Sequence, residues 1–207
     1  MLDTPIKKRS ETRDRLLEAA ESAVLAKGFT ATSIEELIAE VGITKSGFFY
    51  HFKDKNELAR AMMLRYLERD AALLDEIFAR GDELHDDPLH GFLVGLKLFA
   101  ECLADLPENH PGCLAASFCY QDQLFDQHIR DMNAESFLIW RRRFRARFAA
   151  IVEIRAPKED VDLDALADMA ATLVEGALII GRALRDPSIL PRQILLYRDY
   201  VKMIFRT

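Results

Sequence analysis

Cysteine is scarce in this sequence. The three present, Cys102, Cys113 and Cys119, are too few and too unevenly spaced for a disulfide framework, which suits a reducing compartment. No apolar run approaches the roughly 20 residues that span a bilayer. The first residues, with Lys7-Lys8-Arg9, lack the apolar segment of a signal peptide. The expectation is a cytoplasmic protein with no membrane partner. No period-2 strand pattern, internal repeat or low-complexity tract occurs, and no acid–base or nucleophile pair stands at a defined spacing, so an enzyme is not expected. His110-x-x-Cys113, and His85-Asp86-Asp87 with His90, lack the complete spacing of a zinc site, so neither a metal nor a cofactor is expected. An excess of base is also missing. The formal net charge is −6, which excludes a protein that coats nucleic acid with a generally basic surface.

Half of the 207 residues are apolar, enough for a sizeable core. The apolar residues recur at helical spacing throughout, and the pattern predicts an all-α chain of about nine helices. Helices are expected from Ser10 to Lys27, over two short segments near 33–51, from Lys55 to about Arg80 with a stop at Gly81, and from Pro88 to about Leu106. Further helices are expected over Cys113 to about Gln121, from about Asp126 to a close at Pro157, from Asp162 to Arg185, and from about Pro191 to Phe205. Residues before Ser10 read as a basic arm or as a plain disordered terminus.

The most informative stretch is SIEELIAEVGITKSGFFYHFKDKNEL, Ser33 to Leu58. Ser33 with Glu36 forms a capping box opening a helix whose apolar residues are Ile34, Leu37, Ile38 and Val41. Gly42 falls where the chain leaves that helix through a left-handed backbone. Thr44 caps a second helix, Lys45 to about His51, and Asp54 with Glu57 opens a third at Lys55. Phe29 is expected in a small core with Leu37, Val41, Ile43, Phe48 and Phe52. The spacing is that of a helix-turn-helix.

Charge sharpens the picture. Residues 1–60 carry ten basic and ten acidic residues, and the remainder carry 18 against 24, so the whole acidic excess lies outside the motif region. Bases gather at Lys7, Lys8, Arg9, Arg13 and Arg15, and again at Lys45, Lys53 and Lys55. The pattern reads as a narrow basic footprint or as an ordinary solvated charged face.

Three segments, Arg13 to Phe29, Glu40-Val41-Gly42-Ile43-Thr44-Lys45, and Phe52-Lys53-Asp54-Lys55-Asn56-Glu57-Leu58, resemble the DNA-binding core of the TetR/AcrR family of bacterial transcriptional regulators. The chain departs from the family pattern in having Leu37-Ile38 before the turn, where the family usually has Ile-Ala, and Phe49 where the family has tyrosine. The resemblance implies an N-terminal three-helix helix-turn-helix domain, 1–54, and a C-terminal helical ligand-binding and dimerisation domain, 55–207. It implies a repressor that binds a pseudo-palindromic operator in double-stranded DNA as a homodimer through its last two helices. Release would follow a small-molecule effector or a thiol signal, transmitted by the helix that begins at Lys55. A helical architectural DNA-binding protein and a helical enzyme with an apolar pocket are the alternatives.

By the same resemblance, Thr44, His51 and Lys55 hold phosphates, while Lys45, Ser46, Gly47, Phe49 and Tyr50 face the major groove, with Ser33 at a helix start that offers free N–H groups. Gly47, inside a helix, reads either as close approach to DNA or as relief of crowding around Phe48. For the ligand the candidates are Tyr66, Phe99, Cys113, Phe118, Trp140 and Phe144, which line an apolar pocket or simply form core. Cys113 follows Pro-Gly at a helix start and reads as a reactive thiol or as inert packing. Ala167, Ala170, Ala171, Ala177 and Gly181 would let the last two helices approach closely in a dimer bundle; an internal hairpin is the other reading. The run Trp140 to Arg147 reads as a second nucleic-acid patch, as a pocket for an anion or, divided by helical spacing into an aromatic and a basic face, as a face paired with acids such as Glu135.

Overall fold

The computed structural model of the chain describes residues 5–106 and 112–205, and for residues 5–9 the backbone alone. The described residues form nine α-helices and no strand. The helices are α1 (Pro5–Lys27), α2 (Ile34–Val41), α3 (Lys45–His51), α4 (Lys55–Leu84), α5 (Pro88–Ala104), α6 (Leu114–Cys119), α7 (Gln127–Ile154), α8 (Leu163–Leu184) and α9 (Ile189–Ile204), with a short 3-10 turn at Asp122–Leu124. Packing divides the described chain into residues 5–68 with 112–134, and residues 69–106 with 135–205. A boundary between 54 and 55 separates the helix-turn-helix by motif; packing adds the first half of α4, all of α6 and the start of α7 to it.

In the first unit α1 begins at Pro5, not Ser10. Proline suits a first helical position and the Lys-Lys-Arg that follows favours helix, so residues 5–9 are helical rather than a disordered terminus. Ser10, inside the helix, instead donates to the Asp14 carboxylate one turn on. Leu16, Leu17, Ala20 and Val24 of α1 are buried against Leu37 and Val41 of α2 and Phe48 of α3, with Phe52, Leu58 and Met62 completing the core. Gly28 leaves α1 in a left-handed conformation (φ 86°) and turns Phe29 inward. There Phe29 meets two rings that its local sequence does not announce, Phe118 edge-on at 6.0 Å and Phe125 at 4.8 Å.

The second unit is built on aromatic packing. Phe92 meets Phe144 and Phe148 nearly edge-on, at 5.8 and 5.2 Å, and Phe78 stacks on Phe92 at 5.5 Å. Gly81 does not end α4, which runs on to Leu84. A β-carbon at Gly81 would lie 2.6 Å from the Gly91 carbonyl oxygen and 2.9 Å from the Gly95 nitrogen, and one at Gly95 would strike the Phe78 ring. These glycines are selected by the close crossing of α4 and α5. Asp87 caps α5 by accepting from the His90 N–H at 3.0 Å, with Pro88 in the first turn. Asp162 caps α8, and α9 starts at Ile189, two residues before Pro191. Tyr197 of α9 is buried and donates to the Leu166 carbonyl at 2.7 Å, and burial raises its phenol pKa far above the ordinary value.

Every arginine of the 141–147 run is paired within this unit. Arg141 binds Asp168 through two bonds of 2.7 Å, Arg142 meets Glu135, Arg143 meets Asp75, Arg145 meets Asp164 at 2.7 Å, and Arg147 binds Asp82 at 2.9 and 3.0 Å. The basic face is thus an ion-pair ladder, and its exposed pairs, screened by solvent, add little to stability.

Ala167, Ala170 and Ala177 of α8 are buried inside the unit. A β-carbon at Gly181 would come within 3.1 Å of the Asp186 carbonyl oxygen, so this small residue also serves an internal turn. Different residues make up the exposed faces of the last two helices: Ile179, Ile180 and Leu184 on α8, and Leu196, Tyr200 and Met203 on α9.

Candidate nucleic-acid interface

Four side-chain caps fix the geometry of α2, α3 and the start of α4. Ser33 Oγ accepts from the Glu36 N–H at 3.1 Å. Gly42 takes φ 72° and ψ 40°, and its N–H donates to the Ile38 carbonyl at 3.0 Å, closing α2. Thr44 Oγ1 then accepts from the Gly47 N–H at 3.1 Å and opens α3. Asp54 accepts from the Glu57 N–H at 2.8 Å, and the Glu57 carboxylate accepts in return from the Lys53 N–H. Each cap removes a helix-end donor that water would otherwise have to satisfy. Together they hold α3 at a set angle with Phe48 as its buried anchor.

Ser46, Phe49 and Tyr50 are exposed on α3, with Phe49 45% and Tyr50 63% accessible despite their apolar rings. Gly47 is half-buried. A β-carbon there would meet nothing closer than Thr44 Oγ1 at 3.4 Å and Ile43 Cβ at 3.5 Å, which are ordinary contacts. Crowding around Phe48 therefore does not require this glycine. Lys45 is exposed and its ammonium pairs with Glu35 at 3.0 Å; the hydrogen bond from Lys45 holds the Glu35 carboxyl below its usual pKa. Thr44 and Ser46 hydroxyls lie 2.9 Å apart.

Two basic residues of the expected footprint are engaged with backbone carbonyls of the same unit. Arg15 donates to the Val41 carbonyl at 2.7 Å, neutralising the C-terminal end of α2. Lys55, expected to hold a phosphate, places its ammonium on the Phe29 carbonyl and 4.3 Å from the centre of the Phe29 ring, and burial depresses its pKa. The Phe29 carbonyl also accepts from the Thr32 N–H at 3.3 Å, so Lys55 adds a second donor to the α1 turn, a partner that no local pattern shows.

Sequence also gives no sign of Gln121. Its Oε1 accepts from the Phe29 N–H at 2.8 Å, and its amide nitrogen would lie 2.5 Å from a β-carbon on Gly28. Gly28 leaves the next N–H without a helical acceptor, and a side chain 92 positions away satisfies it. Arg60 pairs with Asp126 at 2.7 Å nearby in the same unit.

The six ligand candidates fall into two groups. Tyr66, Cys113 and Phe118 belong to the first unit, where Tyr66 Oη and Cys113 Sγ are 3.2 Å apart and Phe118 is core, stacked on Phe125 at 4.3 Å. Cys113 is the cap position of α6 but makes no side-chain cap. Phe99, Trp140 and Phe144 belong to the second unit, with Trp140 stacked on Phe144 at 5.7 Å and meeting Phe99 at 5.9 Å. The Trp140 indole donates to Asp70 at 2.6 Å. Burial raises the Asp70 carboxyl pKa against the opposing effect of that bond. A groove of about 650 Å³ in this unit is lined by Leu74, Phe78 and Phe144 together with the Arg143 and Arg147 ion pairs; of the six candidates only Phe144 lines it. His85 and His90 rings stack at 4.7 Å, and among the described residues no three His, Cys, Asp or Glu side chains converge as metal ligands. His110 lies outside the described residues.

Two capped short helices with an exposed second helix, on a three-helix core, define a helix-turn-helix protein. Residues 16–62, which hold the helix-turn-helix, match the family model for bacterial regulatory proteins, tetR family. The chain is 30% identical over 95 residues to the HTH-type transcriptional repressor BepR of Brucella suis, covering 44% of each chain. It is 28% identical over 115 residues to the HTH-type transcriptional repressor NemR of Escherichia coli, covering 48% of this chain and 57% of that one. The aligned stretch spans about half the length of these relatives. Among solved structures, reduced E. coli NemR superposes with a TM-score of 0.74 at 18% identity, covering 95% of this chain and 99% of that chain. A TetR-family regulator from Chloroflexus aurantiacus does so with a TM-score of 0.76 at 24% identity, covering 95% and 96%. The fold is shared over 95% of the chain.

Proposed function

We propose that this protein is a sequence-specific, operator-binding transcriptional repressor, cytoplasmic and dimeric, released by a signal received in its helical C-terminal part. The observation that carries the reading is α3: a capped helix, anchored by one buried phenylalanine, that presents Ser46, Phe49 and Tyr50 to solvent as the second helix of a helix-turn-helix. Ser46, Gly47, Phe49 and Tyr50 face the bases, with Lys45 exchanging Glu35 for a guanine or phosphate. Thr44 and His51, with the start of α2 at Ser33, hold backbone phosphates.

One seven-residue helix reads few base pairs, so two copies are needed for a useful site, and a two-fold dimer makes that site a pseudo-palindrome. The apolar residues left exposed on α8 and α9 supply a surface for that pairing. Repression follows the names of BepR and NemR. No helix among the described residues is long and apolar enough to cross a membrane. The signal is a small apolar effector bound near Phe99, Trp140 and Phe144, or modification of Cys113, which lies against Tyr66 of α4. Either acts by preferring a subunit arrangement in which the two α3 helices no longer match the operator spacing.

The test is selection of binding sites from random duplex DNA with the purified protein at near-physiological salt. Recovery of one pseudo-palindrome supports the reading, and recovery of no preferred sequence overturns it.

A further inference from the structure

The exposed part of α3 has little capacity for reading bases through hydrogen bonds. Such discrimination comes chiefly from Arg or Lys on guanine, Asn or Gln on adenine, and Asp or Glu on cytosine. The sequence of α3, KSGFFYH, contains no Arg, Asn, Gln, Asp or Glu. Its one lysine, in an exposed pair with Glu35 at 3.0 Å, is the single side chain of the helix that can turn to a guanine, and the Ser46 hydroxyl lies 2.9 Å from that of Thr44.

What the helix does offer is aromatic. With Phe48 pointing into the core, Ser46 and Tyr50 lie roughly 160° and 200° round the helix from it, at the outermost position, and Phe49 stands beside them. The Phe49 ring is braced edge-on against Phe48 at 5.4 Å and 88°, and the Tyr50 ring edge-on against His51 at 5.2 Å and 78°. Gly47, one position before the anchor, has no side chain to keep the helix off the DNA, and its own chain would accept a β-carbon there. The Phe49 ring has no hydrogen bond to give a base edge and Tyr50 has only its terminal hydroxyl, but the faces of both rings can pack on the C5-methyl group of thymine, the apolar feature of the major groove.

We infer that this protein selects thymine through Phe49 and Tyr50, so that each operator half-site contains at least one thymine whose methyl group packs on one of these rings. The inference rests on the operator-binding reading and names the base that it recognises.

The experiment uses the selected duplex with each thymine replaced in turn by deoxyuridine, which keeps the base pair and removes only the methyl. Replacement at one or more half-site positions is expected to weaken binding roughly fourfold, the effect of leaving one methyl-sized group unburied. That loss is expected to disappear in Phe49→Ala or Tyr50→Ala protein. Both residues are exposed, so these variants keep the wild-type circular dichroism and melting temperature. Unchanged binding at every deoxyuridine position overturns the thymine inference while leaving the operator reading intact. A loss that persists in both alanine variants also overturns it, since another group would then read the methyl. Failure to recover any selected duplex overturns the operator reading itself.

Discussion

Gly47 and Gly81 sit inside helices and look alike in sequence, yet their surroundings assign them opposite roles. At Gly47 a β-carbon meets only ordinary contacts, whereas at Gly81 it would fall 2.6 Å from the Gly91 carbonyl oxygen. Gly47→Ala is therefore expected to stabilise the free protein by up to about 1 kcal/mol through helix propensity, raising the melting temperature by roughly 2–4 °C, while weakening operator binding tenfold or more. Gly81→Ala is expected to destabilise by about 1–3 kcal/mol as α4 and α5 are forced apart. Thermal melts with a binding titration separate the two. Asp70 gives a pH test at the same scale. Its carboxyl pKa is raised in the folded state by burial, so stability falls as pH rises from the ordinary carboxylate range through the raised value, where the folded protein must give up a proton that the unfolded chain has already lost. Asp70→Asn keeps an acceptor for the Trp140 indole and is expected to be more stable than the wild type at pH 7. That advantage should shrink at pH 4; urea denaturation of both proteins at the two pH values measures the difference, in which other carboxylates cancel.

At the scale of the element, how much was legible in the sequence depended on how local the determining contacts are. The caps at Ser33, Thr44 and Asp54 and the left-handed Gly42 depend on residues within four positions of each other, and the sequence showed all of them. The end of α4 was misplaced because a helical glycine was read as a stop when it marks a crossing with α5. The fate of Lys55 and the presence of Gln121 were not legible, because each depends on the backbone of the α1 turn, 26 and 92 positions away. Of the ligand candidates, composition could supply rings but not their neighbours: Phe118 stacks on Phe125 in the core that also holds Phe29. The segment from α6 to the start of α7 is therefore a structural part of the helix-turn-helix unit. Gln121→Ala leaves the partly buried Phe29 N–H without its acceptor and is expected to cost about 1–3 kcal/mol, with faster hydrogen exchange at the Phe29 amide. An unchanged exchange rate there would show that Gln121 does not brace the turn.

For the whole molecule, the account joins an acidic protein to an acidic polymer through one narrow surface. The net charge of −6 leaves little general attraction for DNA, so in the proposed reading binding comes from α3, the nearby helix starts and their duplication in a dimer. Ala167, Ala170 and Ala177 of α8 are internal whereas Ala171 is half-buried, and for the proposed dimer the exposed Ile180 and Tyr200 are the residues to disrupt. Ile180→Asp combined with Tyr200→Asp is expected to halve the mass measured by light scattering and to weaken operator binding at least a hundredfold, with helical content kept. The most direct measurement of the central claim is the affinity of the wild-type protein for its selected duplex against a scrambled duplex of the same composition, at about 150 mM salt. The account predicts a preference of roughly 10³-fold or more, as for specific DNA-binding proteins in general. Equal affinity for the two duplexes would contradict it.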